Sequence, residues 1–234
     1  MQGMSKMQFH SFGDAGLLNN TLAEQIKEIL VNAVQQRGQA YLVVSGGKTP
    51  VELFKILAQV KLPWDKVTIT LADERCVGAD DKERNEHLVK HFLLQHEAKK
   101  AKFVSLFDEY SHPADSLRKT TDAISSLPVF DAVILGMGED GHTASLFPCS
   151  DEIAQGLDDN TDAVLLVTPK TALHQRVSLS KKRLLNSRII FLHLVGEKKR
   201  SVLTQALAAR DPMLMPVSAF LNNQNTQVQV MYAP

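Results

Sequence analysis

Asp140-Gly141-His142 sets a carboxylate two residues before an imidazole, directly behind an apolar run at 130–135. A carboxylate at that reach can hold one tautomer of a histidine and raise its basicity, which suits a general base. The glycines around the pair, Gly136, Gly138 and Gly141, spell a formal G-x-G-x-x-G, so dinucleotide binding has to be weighed. That fingerprint opens a long helix and is followed by an acid at the end of the next strand. Pro148 cuts any such helix short, and the next run ends in Thr168-Pro169-Lys170, with no acid. The cofactor reading fails. What remains is a flexible turn that presents Asp140 and His142 together. The other seven histidines lack such company. His87 and His91 stand four apart without a nearby third ligand, and are read as one face of a helix.

Ser45-Gly46-Gly47-Lys48-Thr49-Pro50-Val51-Glu52 follows another apolar run. Thr49 suits an N-cap, Pro50 the first helical position, and Glu52 would close a capping box with Thr49. A helix starting behind two glycines offers free amides and a positive dipole end to an anion, with Ser45 and Lys48 as added donors. Two readings fit: an anion site, or a glycine-rich turn that merely starts a helix. A Walker A motif would need glycine at position 42, which is Leu42, so nucleotide hydrolysis is disfavoured. Asp73-Glu74-Arg75 is a third charged cluster behind an apolar run, and it fits a solvated turn or the edge of a polar pocket. Arg176 opens Arg176-Val177-Ser178-Leu179-Ser180, and Lys198 lies in Gly196-Glu197-Lys198-Lys199. Each of these cations taken alone is weak evidence.

The elements that must position these groups alternate. Leu22, Ile26, Ile29, Leu30, Ala33 and Val34 recur at helical spacing, which predicts a helix over 17–36 closed by Gly38. Strand-like runs stand at 40–44, 67–71, 130–135, 163–167, 188–195 and 228–232, with helical periodicities between them. That alternation predicts an α/β fold, a single domain over 1–234 with a doubly wound, mostly parallel sheet and helices on both faces. Strand order is not readable, but in such sheets the chemistry gathers at the carboxyl ends of the strands. The clusters above all fall there.

Composition removes other classes. The 26 Lys+Arg balance 26 Asp+Glu, which gives no basic excess for general nucleic-acid binding. Two cysteines, Cys76 and Cys149, make no disulfide framework and no four-ligand zinc site. Residues 1–10 carry no apolar stretch long enough for a signal peptide, and no run in the chain suits a membrane span. The expectation is a cytoplasmic protein acting on a small molecule, with no nucleic-acid or membrane partner, as a monomer or weak homo-oligomer.

Taken together, Ser45-Gly46-Gly47-x-Thr49-Pro50, Asp73-Glu74-Arg75-Cys76-Val77, Asn85 and Gly136-x-Gly-x-Asp140-Gly-His142-Thr-Ala-Ser-Leu-Phe-Pro148 resemble the 6-phosphogluconolactonases. Arg176-Val-Ser-Leu-Ser and Gly196-Glu-Lys-Lys match later motifs of that family, so the resemblance spans about residues 9–232. It implies a Rossmann-like fold of the sugar-phosphate isomerase/deaminase kind, needing no metal and no cofactor. The implied reaction is hydrolysis of 6-phospho-D-glucono-1,5-lactone to 6-phosphogluconate in the oxidative pentose phosphate pathway. His142 would be the base, Asp140 its orienting partner, and Arg75 a holder of the oxyanion or of sugar hydroxyls, with Asp73 or Glu74 as fallback bases. Ser45, Gly46, Gly47, Lys48, Thr49, Arg176 and Lys198 would take the phosphate. Two positions depart from the pattern: Lys48, where a small hydroxyl residue is common, and Cys149, where glycine is common. The related glucosamine-6-phosphate deaminase/isomerase group carries a glutamate five residues after the histidine. Phe147 stands there instead, and a phenylalanine is expected neither to orient nor to protonate anything. A non-catalytic sugar-phosphate sensor is a third reading, and the sequence shows no basic helix for one.

Overall fold

Leu18, Leu22, Ile26 and Leu30 form one stripe of a helix, and all four are fully buried. This helix, α1 (Ala15–Arg37), starts where the Asp14 carboxylate accepts from the Leu17 amide at 2.8 Å. It ends at Gly38, whose φ of 76° is open to glycine at little cost. The computed structural model describes residues 6–111, 113–209 and 211–234. The reading that found no leader over 1–10 therefore lies partly outside the described residues.

Among the described residues ten strands follow in order as β1 (Met7–Ser11), β2 (Ala40–Val44), β3 (Val67–Leu71), β4 (Asp73–Arg75), β5 (Lys102–Val104), β6 (Ala132–Leu135), β7 (Val164–Val167), β8 (Arg176–Leu179), β9 (Ile189–Val195) and β10 (Gln227–Ala233). Beyond α1 the helices are α2 (Val51–Gln59), α3 (Asn85–Phe92), α4 (Pro113–Ser126), α5 (Ile153–Leu157), α6 (Lys181–Leu185), α7 (Glu197–Ala209) and α8 (Ser218–Leu221). Seven strands make one parallel sheet in the order β1-β10-β9-β6-β2-β3-β5. Every residue of β6 is buried, as are the first six of β9, so apolar side chains lie on both faces and helices cover both. The α/β class with a mostly parallel sheet holds.

Two features differ from the sequence expectation. The run at 163–167 does not enter the main sheet: β7 pairs antiparallel with β8, and β8 with β4, in a separate three-stranded sheet. Periodicity reports burial rather than partners, so it could not separate the two sheets. The strands β1, β4 and β5 carried no apolar run, because β1 lies on an edge with exposed residues and the other two are three residues long.

The strand order fixes where a ligand can enter. From β2 the chain moves outward to β3 and β5, then returns to place β6 on the opposite side of β2, with β9 and β10 beyond it. The connections leaving β2 and β6 therefore diverge and open a crevice at their carboxyl ends, the topological switch point.

Candidate active site

Each wall of this crevice comes from one strand end. Behind β2, the buried Ser45 hydroxyl donates to the Ile134 carbonyl of β6 at 2.9 Å and ties the two ends together. At Gly46 a Cβ would fall 1.9 Å from Asn85 Oδ1, so only glycine lets α3 approach this turn. Gly47 follows with φ of 90°. The expected capping box is absent: α2 starts at Val51 behind Pro50 with no side-chain cap, and Glu52 pairs with Lys55 at 2.6 Å. Thr49 is released to line the cavity, while Lys48 is exposed and outside its lining.

Behind β3, Asp73, Glu74 and Arg75 form β4 rather than a solvated turn. Glu74 is fully buried, and its carboxylate accepts from the amides of Arg75, Asn85 and Glu86, each at 2.7 Å. Burial pushes its carboxyl up to about 7 against the pull of those three amides. It anchors the start of α3 and does not line the cavity, which removes it as a fallback base. Asp73 does line the cavity, but its Oδ2 already accepts from the Ser145 hydroxyl at 2.5 Å. Asn85 donates to the Asp73 carbonyl at 2.9 Å.

The antiparallel register sets Arg75 directly opposite Arg176, and both line the cavity. Like charges opposed across a strand pair destabilise it. Burial first, and the Arg75 charge second, lower the Arg176 pKa, and Asp73, 4.0 Å away, only partly offsets them. This is a cationic wall that an anion would relieve.

Behind β6 the Gly136–Gly141 stretch is a hydrogen-bonded turn rather than a flexible one. Gly138 N–H donates to the His142 carbonyl at 2.8 Å, and Gly141 N–H to the Gly138 carbonyl at 3.1 Å. Asp140 Oδ1 accepts from the His142 amide at 3.1 Å and meets His142 Nδ1 at 2.6 Å, fixing backbone and ring with one oxygen. Burial works to raise the Asp140 pKa, but the His142 contacts outweigh it and hold the carboxyl below its ordinary value. With Nδ1 engaged, Nε2 is left as the ring's free lone pair.

Phe147 corrects the expectation placed on it. Its buried ring stacks on His142 at 4.1 Å between centroids, and the Arg176 guanidinium lies 5.1 Å from the same ring. It moves no proton, yet its ring packs against both the imidazole and the guanidinium and so helps to orient them.

The fourth wall is β9 and the start of α7. The cavity is lined by Lys199 and not by Lys198, whose side chain is exposed. Lys199 Nζ donates to the Met137 carbonyl at 2.7 Å, which leaves further ammonium donors. The two lysines are adjacent in sequence, and only the helix register after Gly196 separates them. His193 also lines the cavity, and sequence reasoning passed over it. Its signal was present, as the single polar residue in the apolar run of β9. The cavity measures about 280 Å³.

Fold and crevice together define an α/β protein whose switch point faces a carboxylate–histidine pair with two opposed arginines. The chain belongs to the family described as glucosamine-6-phosphate isomerases/6-phosphogluconolactonase, which matches residues 13–230. A 6-phosphogluconolactonase of Mesorhizobium japonicum is 40% identical over 228 residues, covering 97% of this chain and 95% of that one. One from Pseudomonas putida is 39% identical over 93% of this chain and 90% of its own. The crystal structure of a 6-phosphogluconolactonase from Shewanella baltica has a TM-score of 0.95 at 44% identity, covering 99% of this chain and all of that one.

Proposed function

We propose that the protein hydrolyses 6-phospho-D-glucono-1,5-lactone to 6-phosphogluconate, with His142 as general base. The observation that carries this reading is the 2.6 Å Asp140–His142 pair in a cavity whose facing wall holds Arg75 opposite Arg176. Curated relatives at 39–40% identity bear the lactonase name. His142 Nε2 takes a proton from water as the oxygen attacks the lactone carbonyl carbon. The tetrahedral oxyanion then collapses, the bond from that carbon to the ring oxygen breaks, and the imidazolium returns its proton to the departing oxygen. General-base help of this kind is worth roughly 10²–10⁴-fold. A lactone is an activated ester, and each step is served by groups of this chain without a metal.

The phosphate is held by the Gly46-Gly47 turn, Thr49, Arg176 and Lys199, the last taking the part first assigned to Lys198. Charge-assisted hydrogen bonds contribute about 1.5–3 kcal/mol each. Arg75 serves the oxyanion or the sugar hydroxyls. Asp73, engaged by Ser145, positions Arg176 rather than acting as a base. The same reading has the enzyme at work in the cytoplasm as a monomer or weak homo-oligomer, with no nucleic-acid partner. Among the described residues no helix is long and apolar enough to cross a membrane. A coupled assay of lactone hydrolysis beside glucosamine 6-phosphate turnover tests the reading. Lactone hydrolysis above the spontaneous rate supports it; turnover of the amino sugar alone overturns it.

A further inference from the structure

His193 is 3% exposed and lines the cavity, yet neither ring nitrogen has a hydrogen-bond partner among the described residues. A buried polar group left unpaired costs free energy that an aliphatic residue at the same place would not. The strand around it is Ile189, Ile190, Phe191, Leu192, Leu194 and Val195, so an apolar side chain would continue the pattern. Period-two alternation puts His193 on the same face as Val195, which also lines the cavity. His193 thus lies one pleat, about 7 Å, deeper than the strand end. There the neighbouring β6 supplies the apolar Ile134 and Leu135, and the Ile134 carbonyl is already taken by Ser45.

We propose that His193 is a substrate-contacting, specificity-determining residue, whose imidazole exchanges hydrogen bonds with a hydroxyl of the sugar seated in the crevice. The proposal rests on the sugar-phosphate reading above. Burial pushes the His193 pKa down to about 4, so the ring is uncharged at neutral pH. A neutral imidazole carries one donor and one acceptor, which matches a hydroxyl and not a phosphate. The phosphate stays with the cations Arg176 and Lys199. A site built to bond a hydroxyl penalises a ligand that lacks it, because the buried nitrogens are then left unpaired again.

His193→Leu and His193→Gln separate this role from a structural one. The leucine variant is expected to keep or raise Tm while kcat/KM for the lactone falls by about 3–10-fold, the worth of one neutral hydrogen bond. The glutamine variant, which keeps a donor and an acceptor, is expected to recover most of that loss. A folded leucine variant with parental kcat/KM overturns the proposal. Should the leucine variant not fold, the parent enzyme decides: titration with 6-phosphogluconate must move the His193 ring ¹⁵N resonances, and unmoved resonances overturn it. A parent with no lactone hydrolysis takes the functional reading down as well. An active parent with an unmoved His193 takes down this proposal alone.

Discussion

Gly138→Ala probes the geometry of the base without removing a reacting group. An added Cβ would stand 2.1 Å from His142 Nδ1 and 2.6 Å from Asp140 Oδ1, where ordinary contact begins near 3.4 Å. The ring must therefore retreat by about 1 Å or the turn must open; both disturb the 2.6 Å bond that sets the tautomer. Gly138 is not among the positive-φ glycines, so alanine meets a steric conflict there rather than a backbone one. A displacement of that size in a reacting group costs on the order of 10²-fold in rate. KM should change little, because the proposed phosphate contacts, Gly46, Gly47, Thr49, Arg176 and Lys199, lie on other elements. The assay is initial-rate hydrolysis of 6-phosphogluconolactone with the spontaneous rate subtracted at each pH, alongside circular dichroism to show the variant is folded. A folded Gly138→Ala enzyme within threefold of parental kcat would refute the claim that the Asp140–His142 geometry sets the rate.

Three further outcomes are expected. His142→Asn should lower kcat by roughly 10²–10⁴-fold with little change in Tm, and Asp140→Asn by less, both in the same assay. Lys199→Ala should raise KM for the phosphorylated lactone while Lys198→Ala leaves it unchanged, since only Lys199 lines the cavity; the reverse order would return the assignment to Lys198. The third concerns stability. Because the folded His193 ring titrates near 4 and the unfolded one near 6.5, the unfolded chain binds the extra proton between those values. The stability from this group is therefore present above pH 6.5 and lost as pH falls towards 4, by a few kcal/mol at most. Urea titrations across pH 4–7 should show a flatter profile for His193→Leu than for the parent.

The sequence carried the α/β class because β2, β3, β6 and β9 are largely buried and read as runs rich in apolar and β-branched residues. It also carried Asp140 and His142, whose spacing is local. Wherever three-dimensional neighbours decide, it was silent. Lys198 and Lys199 differ only in helix register, and Thr49 looks like a cap until Pro50 is seen to take that position. The opposition of Arg75 and Arg176 depends on β4 and β8 leaving the main sheet, which no run of side chains announces. Phe147 was misjudged because its polarity was weighed without its shape: a flat ring in contact with both an imidazole and a guanidinium orients both.

The opposed arginines put a load on the crevice. Two like charges set on directly opposed residues by strand register repel, and folding elsewhere must carry that load. On the proposed reading, a dianionic phosphate held by Arg176 both binds and offsets the repulsion from Arg75, so the free energy of association includes relief of a strain in the protein. A gluconolactone without its phosphate gains neither part and leaves the load in place. Discrimination against it is therefore expected to be steeper than the loss of the phosphate contacts alone.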